Sequence, residues 1–237
     1  MYYIGFDPTY ILVLFGVVLT MAASAKMNGT FAKYSKIPGS TGISGQEGAQ
    51  RILMANGIFD VQVAPVAGNL TDHYDPRAKV VRLSERIYYS SSVAAVGVAA
   101  HECGHAIQDN EGYLPLRLRS AIVPIANLGS RLSWPLILIG ILLSYAGGFI
   151  GYQLISLGVI FFSLAVLFQL VTLPVEFDAS RRALVQLEKC HLVPADEKEM
   201  AGSVLSAAAL TYVAAAAASL LQLLRLVILF GGNRRRD

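Results

Sequence analysis

Charge is scarce in this sequence. Charged residues make up 15% of the 237 positions and hydrophobic residues 54%, whereas soluble domains carry roughly 25% charged residues. A chain this poor in charge needs either a very large core or a bilayer. Cysteine is scarcer still: Cys103 and Cys190 alone exclude a disulfide framework and a Cys-x-x-Cys zinc site. Residues 1–7 contain no lysine or arginine, so the positive start of a signal peptide is missing. Ala22-Ala23-Ser24-Ala25 resembles a cleavage site, but an uncleaved anchor is the favoured reading. Internal repeats are absent, and the alanine run at residues 214–218 is the one low-complexity tract.

The apolar residues lie in long uninterrupted runs. Residues 8–25 carry no charge, and as a helix they reach about 27 Å, close to the hydrocarbon thickness. Residues 135–173 are also uncharged. That run is too long for one crossing and suits two, with Tyr145-Ala146-Gly147-Gly148 as the turn. Residues 203–230 are alanine-rich, then leucine-rich, and hold Arg225. We expect residues 203–218 to pack beside the functional site. Residues 220–230 are too short to span and would lie at the interface with Arg225 snorkelling.

The net charge is +3, and its placement explains it. Lys26, Lys33 and Lys36 follow the first run, Arg117, Arg119 and Arg131 precede the second, and Arg181 and Arg182 follow it. The positive-inside rule puts these flanks in the cytoplasm, which predicts a multi-pass membrane protein with its site facing the cytoplasm. Arg234-Arg235-Arg236 agrees only if the last run does not cross. A lipid-facing and topological role accounts for the basic residues better than nucleic-acid binding does.

Between the runs the pattern is that of a small mixed unit. Ser44 and Glu47 have capping-box spacing, predicting a helix to about Asn56 closed by Gly57. Residues 58–66 and 79–83 read as strands, separated by turn formers over residues 68–76. Ser91 or Ser92 caps the next helix. The expected fold is an α-helical membrane protein with a small α+β catalytic unit, whose motif-bearing helix is followed by a transmembrane hairpin. The segments are an anchor at 1–26, a catalytic unit at 27–131, a hairpin at 132–174 and a C-terminal helical part at 175–237.

His101-Glu102-Cys103-Gly104-His105 is a complete H-E-x-x-H. Residues four apart share a helix face, so both imidazoles reach one zinc ion. The intervening carboxylate stands beside the water to be activated and can act as general base. Val93-Ala94-Ala95-Val96-Gly97-Val98-Ala99-Ala100 before it is apolar all round, so the helix is buried. Burying two histidines and a glutamate without a metal is costly. A catalytic site needs a third protein ligand, for which Glu111, Glu176, Asp178, Glu188, His191 and His73 are candidates. Glu176 stands out because two crossings return the chain to the side it left, three residues before Glu176. Cys103, at a variable position of the motif, reads as a small buried residue.

Leu70-Thr71-Asp72-His73-Tyr74-Asp75-Pro76-Arg77, the run from Val98 to Gln108 around the motif, Leu173-Pro174-Val175-Glu176-Phe177-Asp178-Ala179 and Ala208-Ala209-Leu210-Thr211-Tyr212-Val213-Ala214 together resemble the bacterial neutral zinc metallopeptidases of the YugP type. The resemblance spans nearly the whole chain. It implies a zincin-like catalytic unit on the gluzincin plan of the HtpX and prenyl-protease types. It also implies one Zn2+ per chain held by His101, His105 and Glu176, with Glu102 as base and a peptide or membrane-protein substrate. Many gluzincins orient a zinc histidine with an aspartate four residues after the ligand glutamate. Here that position is Ser180, so Asp178 or another residue must serve. Residues 80–83 fall where gluzincins keep the edge strand that pairs with substrate, and His73, Tyr74 and Tyr212 are candidate oxyanion donors. The alternative is a non-catalytic membrane protein with a structural or regulatory metal, which has no need of Glu102. A transporter is disfavoured because the hairpin buries no charge.

Overall fold

The computed structural model describes residues 7–69, 71–145 and 149–231. Along the chain these form α1 (Tyr10–Tyr34), α2 (Gly45–Ala55), β1 (Gln62–Val66), β2 (His73–Asp75), β3 (Val80–Ser84), α3 (Glu85–Tyr88), α4 (Val93–Asn110), α5 (Leu114–Tyr145), α6 (Phe149–Lys189) and α7 (Ala195–Phe230). They divide into two compact units. One comprises Ala23–Arg117 with Leu173–Thr211; the other comprises Met1–Ala22, Leu118–Thr172 and Tyr212–Asp237.

The first unit is built on local signals that the sequence states openly. Ser44 caps α2 in a reciprocal box with Glu47, and Gly57 takes φ +69° just past its end, a conformation open to glycine at little cost. Ser92 caps α4 by accepting from the Ala95 N–H. The sheet has the order β1-β3-β2, with β3 parallel to β1 and antiparallel to β2. Ile52, Leu83, Ile87, Val96, Ala99, Cys103, Leu187 and Val204 close a core between the sheet, α2, α4, the end of α6 and the start of α7. Each large aliphatic side chain there contributes about 1.5–3 kcal/mol by leaving water. Two glycines of α4 let other helices approach. A Cβ at Gly97 would meet the Ala201 Cβ at 3.2 Å, and one at Gly104 would meet the Ala179 carbonyl oxygen at 2.5 Å.

The second unit is helical. Glycines again set the spacing of α5 and α6, since a Cβ at Gly129 or Gly140 would come within 2.7 Å of the Phe161 or Gly151 carbonyl oxygen. Outward stand large apolar side chains such as Ile11, Leu14, Leu142 and Ile160, as a lipid-facing surface requires. Arg225 pairs with Asp7 at 3.0 Å and lies over the Tyr10 ring at 4.1 Å.

Among the described residues four helices, α1, α5, α6 and α7, are long and apolar enough to cross a membrane. This corrects the expectation for the C-terminal run. Residues 195–230 form one continuous helix because no proline and only Gly202 interrupt alanines and leucines, the strongest helix formers. The first helix also runs on through Asn28 and Gly29 to Tyr34. Pro174 lies inside α6, which continues past it to Lys189, so the helix expected to carry Glu176 is continuous with the second arm of the hairpin. A second correction concerns the sheet. Residues 80–83 belong to its central strand, buried at Val80, Val81, Leu83 and Ser84, so they have no free edge to offer a substrate. The free edge beside α4 is β2, which lies inside the stretch read as turn and is too short and polar to show strand periodicity. Leu70, the turn residues 146–148 and Arg234 to Arg236 lie outside the described residues.

Candidate metal centre

His101 and His105 project from one face of α4 with their rings edge to face, centroids 4.8 Å apart. Opposite them α6 approaches on the Gly104–Ala179 contact. Glu176 lies one turn before that crossing and Ser180 just after it. One carboxylate oxygen of Glu176 stands 3.3 Å from His101 Nε2 and 3.6 Å from His105 Nε2, and Glu176 is only 2% exposed. Ligands about 2.1 Å from a tetrahedral zinc are about 3.4 Å from one another. The two distances to Glu176 match that spacing, and all three donor atoms lie within 4.8 Å of one another as a possible metal-binding group.

The hydrogen-bond network fixes which face of an imidazole carries its lone pair. The Gln108 side-chain amide donates to the Val175 carbonyl at 2.8 Å and to Asp178 at 3.0 Å. Its oxygen therefore faces His105 Nδ1, 3.0 Å away, and must accept a proton from it. His105 Nε2 is then left with a lone pair aimed at the Glu176 carboxylate. Two electron-rich groups converging on one point are stabilised by a cation between them. Ser180 Oγ sits 3.2 Å from His101 Nδ1 and can hold that ring in the same sense. The donor set of two imidazoles and a carboxylate, each imidazole braced from behind, suits zinc.

Glu102 is buried beside this group. Burial pushes its carboxyl up to about 7 and nearby Glu176 adds to the rise, while His101 and the donating Tyr74 backbone N–H oppose it. Tyr74 is in β2. The Tyr74 hydroxyl donates to Asp109 at 2.8 Å, and Lys79 pairs with the same carboxylate at 2.9 Å. Burial, then the Asp109 bond, raises the phenol well above its ordinary range. The edge strand is thereby pinned to α4 at two points, one of them Glu102 itself.

The other candidates are placed elsewhere. Glu111 and Asp178 pair with Arg182, and Glu188 pairs with Lys198. His191 is exposed, and exposed His73 has Nδ1 2.7 Å from the Thr71 carbonyl oxygen. Tyr212 is half-buried on α7 in the other unit. Asp178 reaches His105 only through Gln108. Cys103 packs as a small core residue with its thiol 3.5 Å from the Ala49 carbonyl, and burial raises its pKa. Sequence pattern alone assigns nothing to Gln108 and treats Ser180 as a departure. A signal for Gln108 exists, a polar residue three positions after His105 and so on the same side of the helix.

A family model described as "Putative neutral zinc metallopeptidase" matches residues 9–231. The "Putative membrane protease YugP" of Bacillus subtilis (strain 168) is 48% identical over 203 residues, covering 86% of this chain and 88% of that protein. No solved structure matches the chain. With nearly its full length matched, the chain belongs to the family described as putative neutral zinc metallopeptidases.

Proposed function

We propose that the protein is a membrane-embedded zinc endopeptidase in which His101, His105 and Glu176 hold one zinc ion per chain and Glu102 is the general base. The observation that carries this reading is the convergence of His105 Nε2, His101 Nε2 and one Glu176 oxygen on a single point, with the buried Glu102 carboxyl adjacent. Zinc held there supplies a Lewis acid for the peptide carbonyl and for the attacking water. Glu102 takes the proton of that water on one carboxylate oxygen and returns it to the leaving amine. The Tyr74 N–H holds the carboxylate in place through both transfers. Gln108 and Ser180 keep the imidazoles from rotating, and Asp178 anchors Gln108. The outer edge of β2 receives the substrate as an added strand, which favours extended or unfolded segments near the membrane. His73, at the start of that edge, is the candidate for stabilising the oxyanion.

The site faces the cytoplasm on this reading. Lys26, Lys33, Lys36, Arg117, Arg119, Arg181 and Arg182 flank the runs on its side. With four crossings both chain ends lie outside, and the terminal arginines are outweighed by the charges on the other face. Labelling Ser40→Cys in intact cells with an impermeant reagent tests this, because modification there reverses the orientation.

The central test uses full-length protein in detergent or nanodiscs. Wild type should hold about one zinc per chain and cleave unfolded casein. Glu102→Gln should keep the zinc and lose nearly all cleavage, because the change is isosteric and removes only the base, whereas His101→Ala should lose the zinc. Equal cleavage by wild type and Glu102→Gln overturns the mechanism.

A further inference from the structure

A polar groove opens where the apolar run of α1 ends. The two helices that form it are antiparallel: a Cβ at Gly16 would meet the Ala218 Cβ at 3.1 Å, and Tyr10 stacks on Arg225. Antiparallel packing puts Lys26 and Ser206 at one end of the groove and Lys33 and Glu199 at the other. Between them lies a cavity of about 460 Å³ lined from α1 by Lys26, Thr30 and Lys33 and from α7 by Glu199, Ser203 and Ser206. Each trio has the spacing i, i+4, i+7, so each forms one stripe on its helix. The volume falls in the range of small-molecule sites.

The groove's charges are not spent on each other. Among the described residues, the lysines in ion pairs are Lys79 and Lys198. Lys33 instead rests 3.5 Å from the Tyr34 hydroxyl and 4.8 Å from the Tyr34 ring. Lys26 is the first charge after residues 8–25, so it stands at the level where the hydrocarbon gives way to phosphates. Glu199 stands at the far end, roughly two turns further from the hydrocarbon.

We propose that this groove binds the headgroup of an anionic glycerophospholipid whose headgroup carries hydroxyls, phosphatidylglycerol in its chemistry. The phosphodiester sits against the Lys26 ammonium and the Ser206 and Thr30 hydroxyls, at the membrane end. The headgroup hydroxyls extend outward, donating to Glu199 and exchanging hydrogen bonds with Ser203, while Lys33 completes the cationic side. Two lysines against one carboxylate leave one net positive charge, which matches one phosphodiester. The polar order along the groove follows the order of groups in the lipid.

Native mass spectrometry of the full chain in detergent, titrated with phosphatidylglycerol, tests the site. One lipid per chain should resist detergent exchange. Lys26→Gln with Lys33→Gln should weaken it about tenfold or more, since each lysine near an anionic surface contributes substantially, and Lys36→Gln, outside the groove, should leave it unchanged. Ser203→Leu fills the groove without altering charge and should also weaken retention. All four side chains are exposed, so circular dichroism should show the variants folded. Equal retention by the double variant and wild type overturns the site. Equal retention of phosphatidylethanolamine overturns the anionic assignment. Displacement of the lipid by millimolar inorganic phosphate identifies a free-anion site and overturns the lipid assignment.

Discussion

Gly104→Ala should leave the protein folded and nearly inactive, because Gly104 lies at the crossing on which the proposed metal centre is assembled. A Cβ there would stand 2.5 Å from the Ala179 carbonyl oxygen and 3.1 Å from the Ala179 carbonyl carbon and Cα. Ordinary contact begins near 3.4 Å, so the Cβ falls about 0.9 Å short of room. All three opposing atoms belong to the backbone, so no rotamer change relieves the clash and α6 must move. Alanine gains about 1 kcal/mol of helix propensity over glycine, while overpacking of this kind costs about 1–3 kcal/mol. The net loss of stability is therefore small. The site has no comparable margin, because Glu176 and Ser180 ride on the displaced helix and a shift of ~1 Å costs on the order of 10²-fold in rate. Thermal melts, zinc per chain and kcat/KM on a fluorogenic peptide separate the two effects. Ala179→Gly should not rescue activity, since the clash is with backbone. Gly48→Ala is the control, since its Cβ would meet Val96 at an ordinary 3.6 Å; it should keep full activity. Wild-type kcat/KM in Gly104→Ala would refute the argument that this contact sets the ligand geometry.

Gln108→Leu removes the acceptor behind His105 and should weaken zinc binding about 10–100-fold, read by competition with a chromogenic chelator. Ser180→Ala should weaken zinc modestly and Ser180→Asp should restore it, because a carboxylate accepts more strongly from His101 Nδ1. Removing zinc with a chelator should lower the melting temperature, since a metal at 100 times its dissociation constant stabilises the fold by about 2.7 kcal/mol; an unchanged melt in Glu102→Gln but a lowered one in His101→Ala would fit the assigned roles. Tyr74→Phe keeps the backbone donor to Glu102 and loses only the Asp109 bond, so it should cost about 0.5–1.5 kcal/mol of stability with little loss of kcat, and an abolished kcat would assign the hydroxyl to chemistry.

The parts of the fold legible in the sequence are those with strong local physics. Ser44 and Glu47 announce α2 because a capping box satisfies two backbone donors reciprocally, and uncharged runs announce membrane-length helices because charge is costly there. Three features were not legible. β2 is three residues long, His73-Tyr74-Asp75, and its pairing with β3 is long-range, so neither alternation nor length marks it. The position of β3 at the sheet centre depends on β1 running parallel to it, which a linear reading does not reveal. The continuity of α7 was obscured because Arg234-Arg235-Arg236 argue against a crossing, which divides the run into an alanine-rich and a leucine-rich part.

The site divides along the same line. His101, Glu102 and His105 are legible because one helix turn presents all three, so spacing alone states their geometry. Glu176 is legible only by topology, since a run long enough for two crossings is expected to bring residue 176 back to the face it left. The groups behind the proposed ligands obey neither rule. Ser180 stands where an aspartate is expected, and its hydroxyl still reaches His101 Nδ1 at 3.2 Å, because the Gly104 crossing brings α6 close enough for a short side chain to serve. Asp178 cannot reach an imidazole directly; its carboxylate orients Gln108, which orients His105. The close helix approach and the relay through Gln108 are linked. A glycine within the H-E-x-x-H motif lets α6 lie against α4, and at that separation a serine and a glutamine do what a carboxylate does from further away.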